Sequence, residues 1–146
     1  MEKTILIVGG SGGIGAKVCE LMSKNGDIIY STSFNQNKNP LHKNTLQLEN
    51  VTNCFMDLTN EVSVKETLKK ILTERKYLDV IIFSATAPTN NKQLLNMNWN
   101  DFETHLNMQI RGLLFIIQGL KEQIKLKHKT KFIIVLTEYC IGKPPA

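Results

Sequence analysis

A glycine turn directly follows an apolar run close to the start of the chain. The run Thr4-Ile5-Leu6-Ile7-Val8 contains β-branched residues, and the next segment, Gly9 to Gly15, follows a G-x-x-x-G-x-G pattern. Ile14, Val18, Leu21 and Met22 then recur at helical spacing, so this part of the chain predicts a strand, a turn and a helix in that order. This order restricts the chain to folds in which a strand is followed directly by a helix, with the glycines allowing close backbone packing at the turn.

The same turn has the layout of a phosphate-binding site. Small residues let the backbone approach a pyrophosphate, and a helix N-terminus offers free N–H groups with a partial positive charge. A tight strand–helix turn without a ligand is the alternative interpretation. The residues predicted to bind phosphate are Gly9, Ser11, Gly12, Gly13, Ile14 and Gly15.

Strands and helices alternate along the rest of the chain. Asn25-Gly26 ends the first predicted helix, Asn60 caps a second one that carries Val64, Leu68, Ile71 and Leu72, and a long third helix runs from about Asn100 to Lys127. Alternation of this kind implies right-handed crossovers and a parallel sheet with ligands at the carboxyl ends of its strands. We therefore expect a Rossmann-type, doubly wound α/β fold in a single domain, 1–146. Its five predicted strands are 3–8, 27–32, 51–56, 79–84 and 131–136.

Composition excludes several classes of protein. A chain of 146 residues with 42% hydrophobic and 21% charged residues is typical of one soluble domain. The longest apolar run, Leu113 to Ile117, is too short to span a membrane, and we expect no signal peptide because the first predicted strand begins so early. The three cysteines fall in no motif, so we expect no disulfide, no metal site and a cytoplasmic location.

The positive charge of the chain raises the question of whether it binds nucleic acid. The net charge is +5, and much of it comes from lysines around the predicted end of the third helix, where they suit the helix dipole and stay solvated. No nucleic-acid partner is therefore expected.

Apolar residues extend beyond one stripe of the third predicted helix, which favours a homo-oligomer interface through residues 100–127 over deeper burial. We expect His105 near the core or an interface and His128 solvated, and neither has a carboxylate at a sequence spacing that suggests a relay or a metal site. The predicted helix face is Phe102, Leu106, Gln109, Leu113, Ile117, Leu120 and Ile124, widened by Met108, Phe115 and Ile116.

Four landmarks in order resemble the short-chain dehydrogenase/reductase family, in its ketoacyl-reductase-like branch. The glycine segment is similar to that family's T-G-x-x-x-G-x-G, with Val8 at the threonine. Asp57-Leu58-Thr59 resembles an adenine-contacting acidic dipeptide, and Ser84-Ala85-Thr86 stands where the family has Asn-Asn-Ala-Gly. Trp99 through Gly112 resembles the helix that carries a catalytic asparagine. The resemblance spans nearly the whole chain.

The resemblance implies a nicotinamide cofactor. Asp57 can accept a hydrogen bond from the adenine amino group while Leu58 fixes the ring plane, although a helix-capping acid is the alternative. Ser84, Ala85 and Thr86 let the sheet pass close to a ribose, although an ordinary strand end is the alternative. Ser33 stands where NAD-dependent enzymes place an acid, so no carboxylate repels a 2′-phosphate, and Lys38 and Lys43 lie close in sequence. NADP is therefore favoured, with NAD possible.

The resemblance also implies hydride transfer between the nicotinamide and a small carbonyl or alcohol substrate, with a 3-ketoacyl group as one candidate. Family members use a tyrosine and a lysine spaced Y-x-x-x-K, a serine or threonine, and an asparagine. Here Gln109 stands at the asparagine and Thr137, or Glu138, at the serine, so Thr137 and Gln109 are the catalytic candidates.

A literal Y-x-x-x-K match, Tyr139 to Lys143, comes too soon after the fifth strand. Gly142 and Pro144-Pro145 oppose the helix that would bring the two side chains onto one face, so we interpret the match as a decoy. The family's catalytic helix is then expected after Ala146, with the later strands of the sheet missing. The competing hypotheses are a reductase or its N-terminal portion, a non-catalytic nucleotide-binding or oligomerising module, and an inactive fragment.

Overall fold

The protein is represented by a computed structural model that describes residues 2–34, 48–88, 92–126 and 128–136. Within these residues the strands are β1 (Thr4–Val8), β2 (Ile28–Ser33), β3 (Val51–Phe55), β4 (Val80–Phe83) and β5 (Lys131–Ile134). The α-helices are α1 (Gly13–Ser23), α2 (Glu61–Arg75), α3 (Trp99–His105), α4 (Gly112–Gly119) and α5 (Lys121–Lys125). A 3-10 turn covers Leu94–Asn96, and a π-helical segment covers Leu106–Arg111.

The five strands form one parallel sheet in the order β3-β2-β1-β4-β5. β1 lies in the middle, where Val8 pairs with Thr32 of β2 on one side and with Phe83 of β4 on the other. The chain turns back across β1 to start β4, so the strand order reverses at this point. The predicted Rossmann-type fold is confirmed, although β5 ends at Ile134 rather than at residue 136.

Helices cover both faces of the sheet. On one face, α2 buries Val64, Leu68 and Ile71, as its spacing predicted, in a core shared with α4 and with alternate residues of the strands. On the other face, Cys19 of α1 packs on the remaining strand residues, Ile5 among them. The apolar stripe predicted for α1 is only partly correct. Ile14 and Leu21 are 60% and 50% exposed, whereas the buried residues are Gly15, Ala16 and Cys19.

The third helix is interrupted rather than continuous, which corrects the prediction. The Gly112 N–H donates to the carbonyl of Asn107, five residues back, so the π segment holds an additional residue and rotates α4 away from the phase of a continuous α-helix. Phe102 and Leu106 are consequently exposed, while the core takes Phe115, Ile116 and Leu120. The predicted apolar surface is therefore only partly correct, because Leu120, Phe115 and Ile116 are buried as predicted but Ile117 and Ile124 are exposed.

Two polar residues at the amino edge of the sheet depart from expectation. Gln123 of α5 is buried; its Oε1 accepts from the Leu78 N–H at 2.9 Å, and its Nε2 donates to the Leu78 carbonyl at 2.8 Å. His128 lies 3.1 Å from Asp79 Oδ1 and stacks on the Tyr77 ring with the ring centroids 4.4 Å apart, so it is partly buried beside a carboxylate distant in sequence and the prediction of a solvated side chain is wrong. The reason is tertiary, because the chain leaving α5 returns beside the start of β4.

Candidate functional site

A cleft of about 610 Å³ opens at the carboxyl ends of the first four strands. Its size lies within the range of small-molecule and cofactor sites. Nine of the twelve residues predicted to bind a cofactor line it, from four separate turns of the chain. They are Gly9, Ser11, Gly12, Ser33, Asp57, Leu58, Ser84, Ala85 and Thr86. The cleft lies where the strand order reverses, which is the usual ligand position in open α/β sheets.

The glycine turn is shaped by the strand ends on both sides of it. Gly9 has φ +85°, a left-handed conformation, and a methyl group there would lie 2.8 Å from the Ala85 backbone. The N–H groups of Gly9 and Gly10 both donate to the Thr32 carbonyl at 3.0 Å, which ties the turn to β2. Only glycine satisfies the conformation and the contact together, so Gly9 seats the turn between β2 and β4.

Gly13, Ile14 and Gly15 begin α1 and do not line the cleft themselves. Gly15 packs directly against the turn, since a methyl group on it would collide with the Gly9 carbonyl. Gly13 has open space around its Cα, and Ile14 is exposed. These residues therefore form the start of α1, and they can contact a ligand through their backbone N–H groups rather than through side chains.

The N-terminus of α1 differs from those of α2 and α3. Asn60 caps α2 by accepting from the N–H groups of Val62 and Ser63, and Asn98 caps α3 in a capping box with Asp101. The α1 cap is Gly12, which has no side chain to offer, and no acidic residue lies in the first turn. The first N–H groups of a helix have no partner within the helix, so this end presents donors and positive partial charge toward the cleft.

Among the lining residues that the structure describes, Asp57 is the one with a carboxylate, and it lies on the β2 and β3 side of the cleft. Asp57 Oδ1 accepts from the Thr59 N–H at 2.9 Å and from the Thr59 hydroxyl at 2.7 Å, while Oδ2 receives no hydrogen bond from the described residues. Asn60, not Asp57, caps α2, so the alternative interpretation of Asp57 as the helix cap is wrong. Ser33 is buried at the end of β2.

The β4 side is joined to the π-helical segment. Ser84 donates twice to the Val8 carbonyl, from its N–H and from its hydroxyl, each at 2.9 Å. Gln109 Nε2 donates to Thr86 Oγ1 at 2.9 Å, and the neighbouring Met108 lines the cleft. The structure therefore brings the catalytic candidate Gln109 directly behind a predicted cofactor residue. Thr137, Tyr139, Lys143, Lys38 and Lys43 lie outside the described residues.

Sequence reasoning missed several lining residues. Phe34 is 60% exposed and packs against Phe55, with ring centroids 5.9 Å apart. The aromatic residue directly after Ser33 could have been predicted to line the site. Met108 could not, because it lies on the π segment, which no sequence pattern predicts. The lining residues outside the twelve are Val8, Thr32, Phe34, Met56, Thr59, Pro88 and Met108.

The cysteines of the described residues are packing groups. Cys19 lies behind the turn, where a methyl group on Gly10 would be 3.2 Å from its Sγ. Burial raises the pKa of the Cys19 thiol above its ordinary value, and the neighbouring Ser31 hydroxyl opposes that shift only in part. Burial likewise raises the pKa of Cys54. Both thiols are therefore poor nucleophiles.

The described residues hold neither a membrane-spanning helix nor a cluster of metal-ligating side chains. No helix among them is both long and apolar enough to cross a membrane. No group of three or more His, Cys, Asp or Glu side chains in residues 2–34, 48–88, 92–126 and 128–136 could hold a metal ion.

Comparisons with known proteins agree with this architecture. The family model described as short chain dehydrogenase matches residues 3–142. The chain is 32% identical over 106 residues to a 3-ketodihydrosphingosine reductase of Bacteroides thetaiotaomicron, covering 67% of this chain and 36% of that protein. It is 27% identical over 128 residues to the 3-oxoacyl-(acyl-carrier-protein) reductase FabG of Rickettsia typhi, covering 86% of this chain and 50% of that protein.

A solved structure described as ElxO with NADP bound has a TM-score of 0.84 and 27% identity, covering 99% of this chain and 59% of that one. Strand order, glycine turn and cleft together define a Rossmann-type α/β protein with a nucleotide-sized site at its switch point. The chain belongs to the short-chain dehydrogenase family of oxidoreductases. It spans between a third and a half of the two curated relatives' lengths.

Proposed function

We propose that the protein binds NADP(H) in the cleft and takes part in hydride transfer between the nicotinamide and a small carbonyl or alcohol substrate. The observation that carries this proposal is the convergence of nine predicted residues, from four turns of the chain, on one cleft. The solved structure described as ElxO with NADP bound supports the choice of cofactor.

The residues present fit a dinucleotide. The N-terminus of α1 suits the pyrophosphate, because its N-cap, Gly12, lines the cleft and offers no side-chain cap to the first N–H groups of the helix. Asp57 Oδ2, which receives no hydrogen bond within the described part of the chain, can accept from the adenine amino group. Ser33 at the end of β2 leaves the 2′ position of the ribose without an opposing carboxylate. The nicotinamide supplies the hydride chemistry when bound, and the chain's residues bind and orient it.

The relatives indicate the substrate class. One is described as a 3-ketodihydrosphingosine reductase and another as a 3-oxoacyl reductase, and both names specify a ketone. We propose a 3-ketoacyl-like compound as the substrate. Gln109 and Thr137 remain the catalytic candidates, with Tyr139 and Lys143 interpreted as decoys.

Nucleotide titrations test the cofactor assignment. NADP⁺ at about 100 times its dissociation constant is expected to stabilise the fold by about 2.7 kcal/mol in urea unfolding. Ser33→Asp places a carboxylate beside the 2′ position and is expected to weaken NADP⁺ binding relative to NAD⁺. Thr73→Asp, on the exposed surface of α2, controls for added negative charge. An unchanged preference in Ser33→Asp, or no stabilisation of the unsubstituted chain by either nucleotide, would contradict the assignment.

Turnover is a separate measurement. Consumption of NADPH with a 3-ketoacyl thioester is expected from a catalytic protein, and a Tyr139→Phe variant that keeps the full rate supports the decoy interpretation. Tight NADP⁺ binding without turnover supports the second candidate, a non-catalytic nucleotide-binding module. The observation that favours this second candidate is Gln109, whose amide is already bonded to Thr86.

We also propose that the helical region at residues 100–127, predicted as the third helix, forms a homo-oligomer interface. Leu106, Ile110, Leu114 and Ile117 recur at spacings of three or four residues, and each is at least 40% exposed. Ile110→Lys is expected to shift sedimentation equilibrium toward monomer. The matched control is Leu21→Lys on α1, which is 50% exposed and lies on the opposite face of the sheet. A monomeric unsubstituted chain at high concentration would overturn the proposal.

A further inference from the structure

Among the residues that the structure describes, Gln109 is joined to the cleft by a hydrogen bond to Thr86. Thr86 lines the cleft, whereas Gln109 is half-buried on the π segment and does not line it. Gln109 Nε2 donates to Thr86 Oγ1 at 2.9 Å. A residue in this position acts on a ligand through its neighbour, in contrast to the direct catalytic role that the family resemblance implies.

The direction of this hydrogen bond determines what Thr86 can offer. A threonine hydroxyl has one hydrogen and two lone pairs. Since one lone pair of Oγ1 takes the Gln109 N–H, the hydroxyl keeps its own hydrogen to donate. At present that hydrogen goes to the Ala87 carbonyl at 3.3 Å, a long contact that a better acceptor would replace.

The position of Thr86 indicates which half of a dinucleotide it meets. The pyrophosphate site is at the turn after β1, and the ribose position that distinguishes NAD from NADP lies at the end of β2. Thr86 comes after β4, on the opposite side of β1. The half of the ligand beyond the pyrophosphate, which carries the nicotinamide, therefore lies on its side.

Resting on the proposed NADP(H) function, we propose that Gln109 is a positioning residue which fixes Thr86 as a hydroxyl donor to the nicotinamide half of the ligand. Thr86, held in this way, is then the residue that recognises a hydrogen-bond acceptor on that half, such as a ribose or carboxamide oxygen, and Gln109 determines specificity through it. The π segment matters because it places Gln109 within reach of Thr86 while α4 stays packed in the core.

Two probes separate the halves of the ligand. NADP⁺ contains both halves, and adenosine 2′,5′-bisphosphate contains only the adenosine half. Gln109→Met and Thr86→Val remove the hydrogen bond with little change in size, and each is expected to weaken NADP⁺ binding about threefold to tenfold. Binding of the bisphosphate is expected to stay within about twofold, and Thr86→Ser is expected to retain NADP⁺ affinity. The double variant is expected to be no weaker than either single one, because both changes remove the same contact.

Gln109→Glu distinguishes positioning from a simple structural tie. A carboxylate accepts from Thr86 rather than donating to it, so the hydrogen bond survives with its direction reversed and the ligand loses its donor. NADP⁺ binding is therefore expected to fall as far as in Gln109→Met, whereas a structural tie predicts retention. Asn107→Asp adds the same charge on the same π segment and controls for repulsion of the phosphates. Urea unfolding checks that each variant is folded.

Each result has a defined meaning. Equal weakening of both probes, full affinity in Gln109→Glu, or additive losses in the double variant would overturn the positioning role. Failure of both probes to bind the unsubstituted chain would instead refute the proposed function itself.

Discussion

Replacing Gly9 by alanine tests the geometry of the glycine turn most directly. The left-handed φ of +85° costs a residue with a Cβ about 1–2 kcal/mol. The added methyl group would also lie 2.8 Å from the Cα and N of Ala85, atoms of the β4 end that cannot move without the sheet. Overpacking of that kind costs about 1–3 kcal/mol. Gly9→Ala is therefore expected to lower the free energy of unfolding by roughly 2–5 kcal/mol, or the melting temperature by roughly 5–15 °C.

Urea unfolding followed by circular dichroism measures this loss, read from the midpoint at constant slope. Gly13→Ala is the matched control, since Gly13 lies four residues on, has an ordinary φ and has no atom within 4 Å of an added Cβ. This control is expected to be neutral or stabilising by up to about 1 kcal/mol. The reasoning is refuted if Gly9→Ala stays within about 0.5 kcal/mol of the unsubstituted chain, or if both variants lose stability equally.

Two further predictions concern buried groups. Gln123→Leu leaves the buried Leu78 N–H without its acceptor, so unfolding in urea is expected at about 1–3 kcal/mol lower stability. The exposed Gln118→Leu is expected to change stability by less than about 0.5 kcal/mol, and equal losses in the two variants would contradict the role of the buried amide. Burial raises the pKa of the Cys19 and Cys54 thiols, so their thiolates form only at a higher pH than that of a free cysteine. Iodoacetamide at pH 8.5 is expected to label both much more slowly in the native protein than in urea, as peptide mapping would show; equal rates would refute their inaccessibility.

The fold was predictable because its signals are local and repeated. Apolar runs, the glycine turn and the helical spacing of Val64, Leu68 and Ile71 each indicate one element, and alternation of elements leaves few topologies. The residues at strand ends were predictable for a related reason. In a parallel sheet all carboxyl ends meet at one edge, so Ser33, Asp57 and Ser84 had to lie near the glycine turn.

The features that could not be predicted depend on contacts distant in sequence. Gly112, which follows the π segment, packs so closely on Leu58 that a methyl group would come within 2.9 Å of the Leu58 Cβ, and no periodicity encodes that fit. The extra residue then changed which side chains of the third helical region are buried. His128 meets Asp79 across 49 residues, and Gln109 meets Thr86 across 23. Such pairs are visible only once the sheet order is known.

The contact between the turn after β1 and the end of β4 has a consequence for folding order. The Ser84 hydroxyl reaches the Val8 carbonyl across 76 residues, and the Thr4 N–H reaches Asp79 across 75. During synthesis β1 must therefore wait, unpaired on one side, until the residues of β4 have left the ribosome. Closing so long a loop is slow and makes pairing of β1 with β4 a late event. A nucleotide that needs both walls of the cleft would then bind only after this closure, and its binding would report completion of the central sheet in real time.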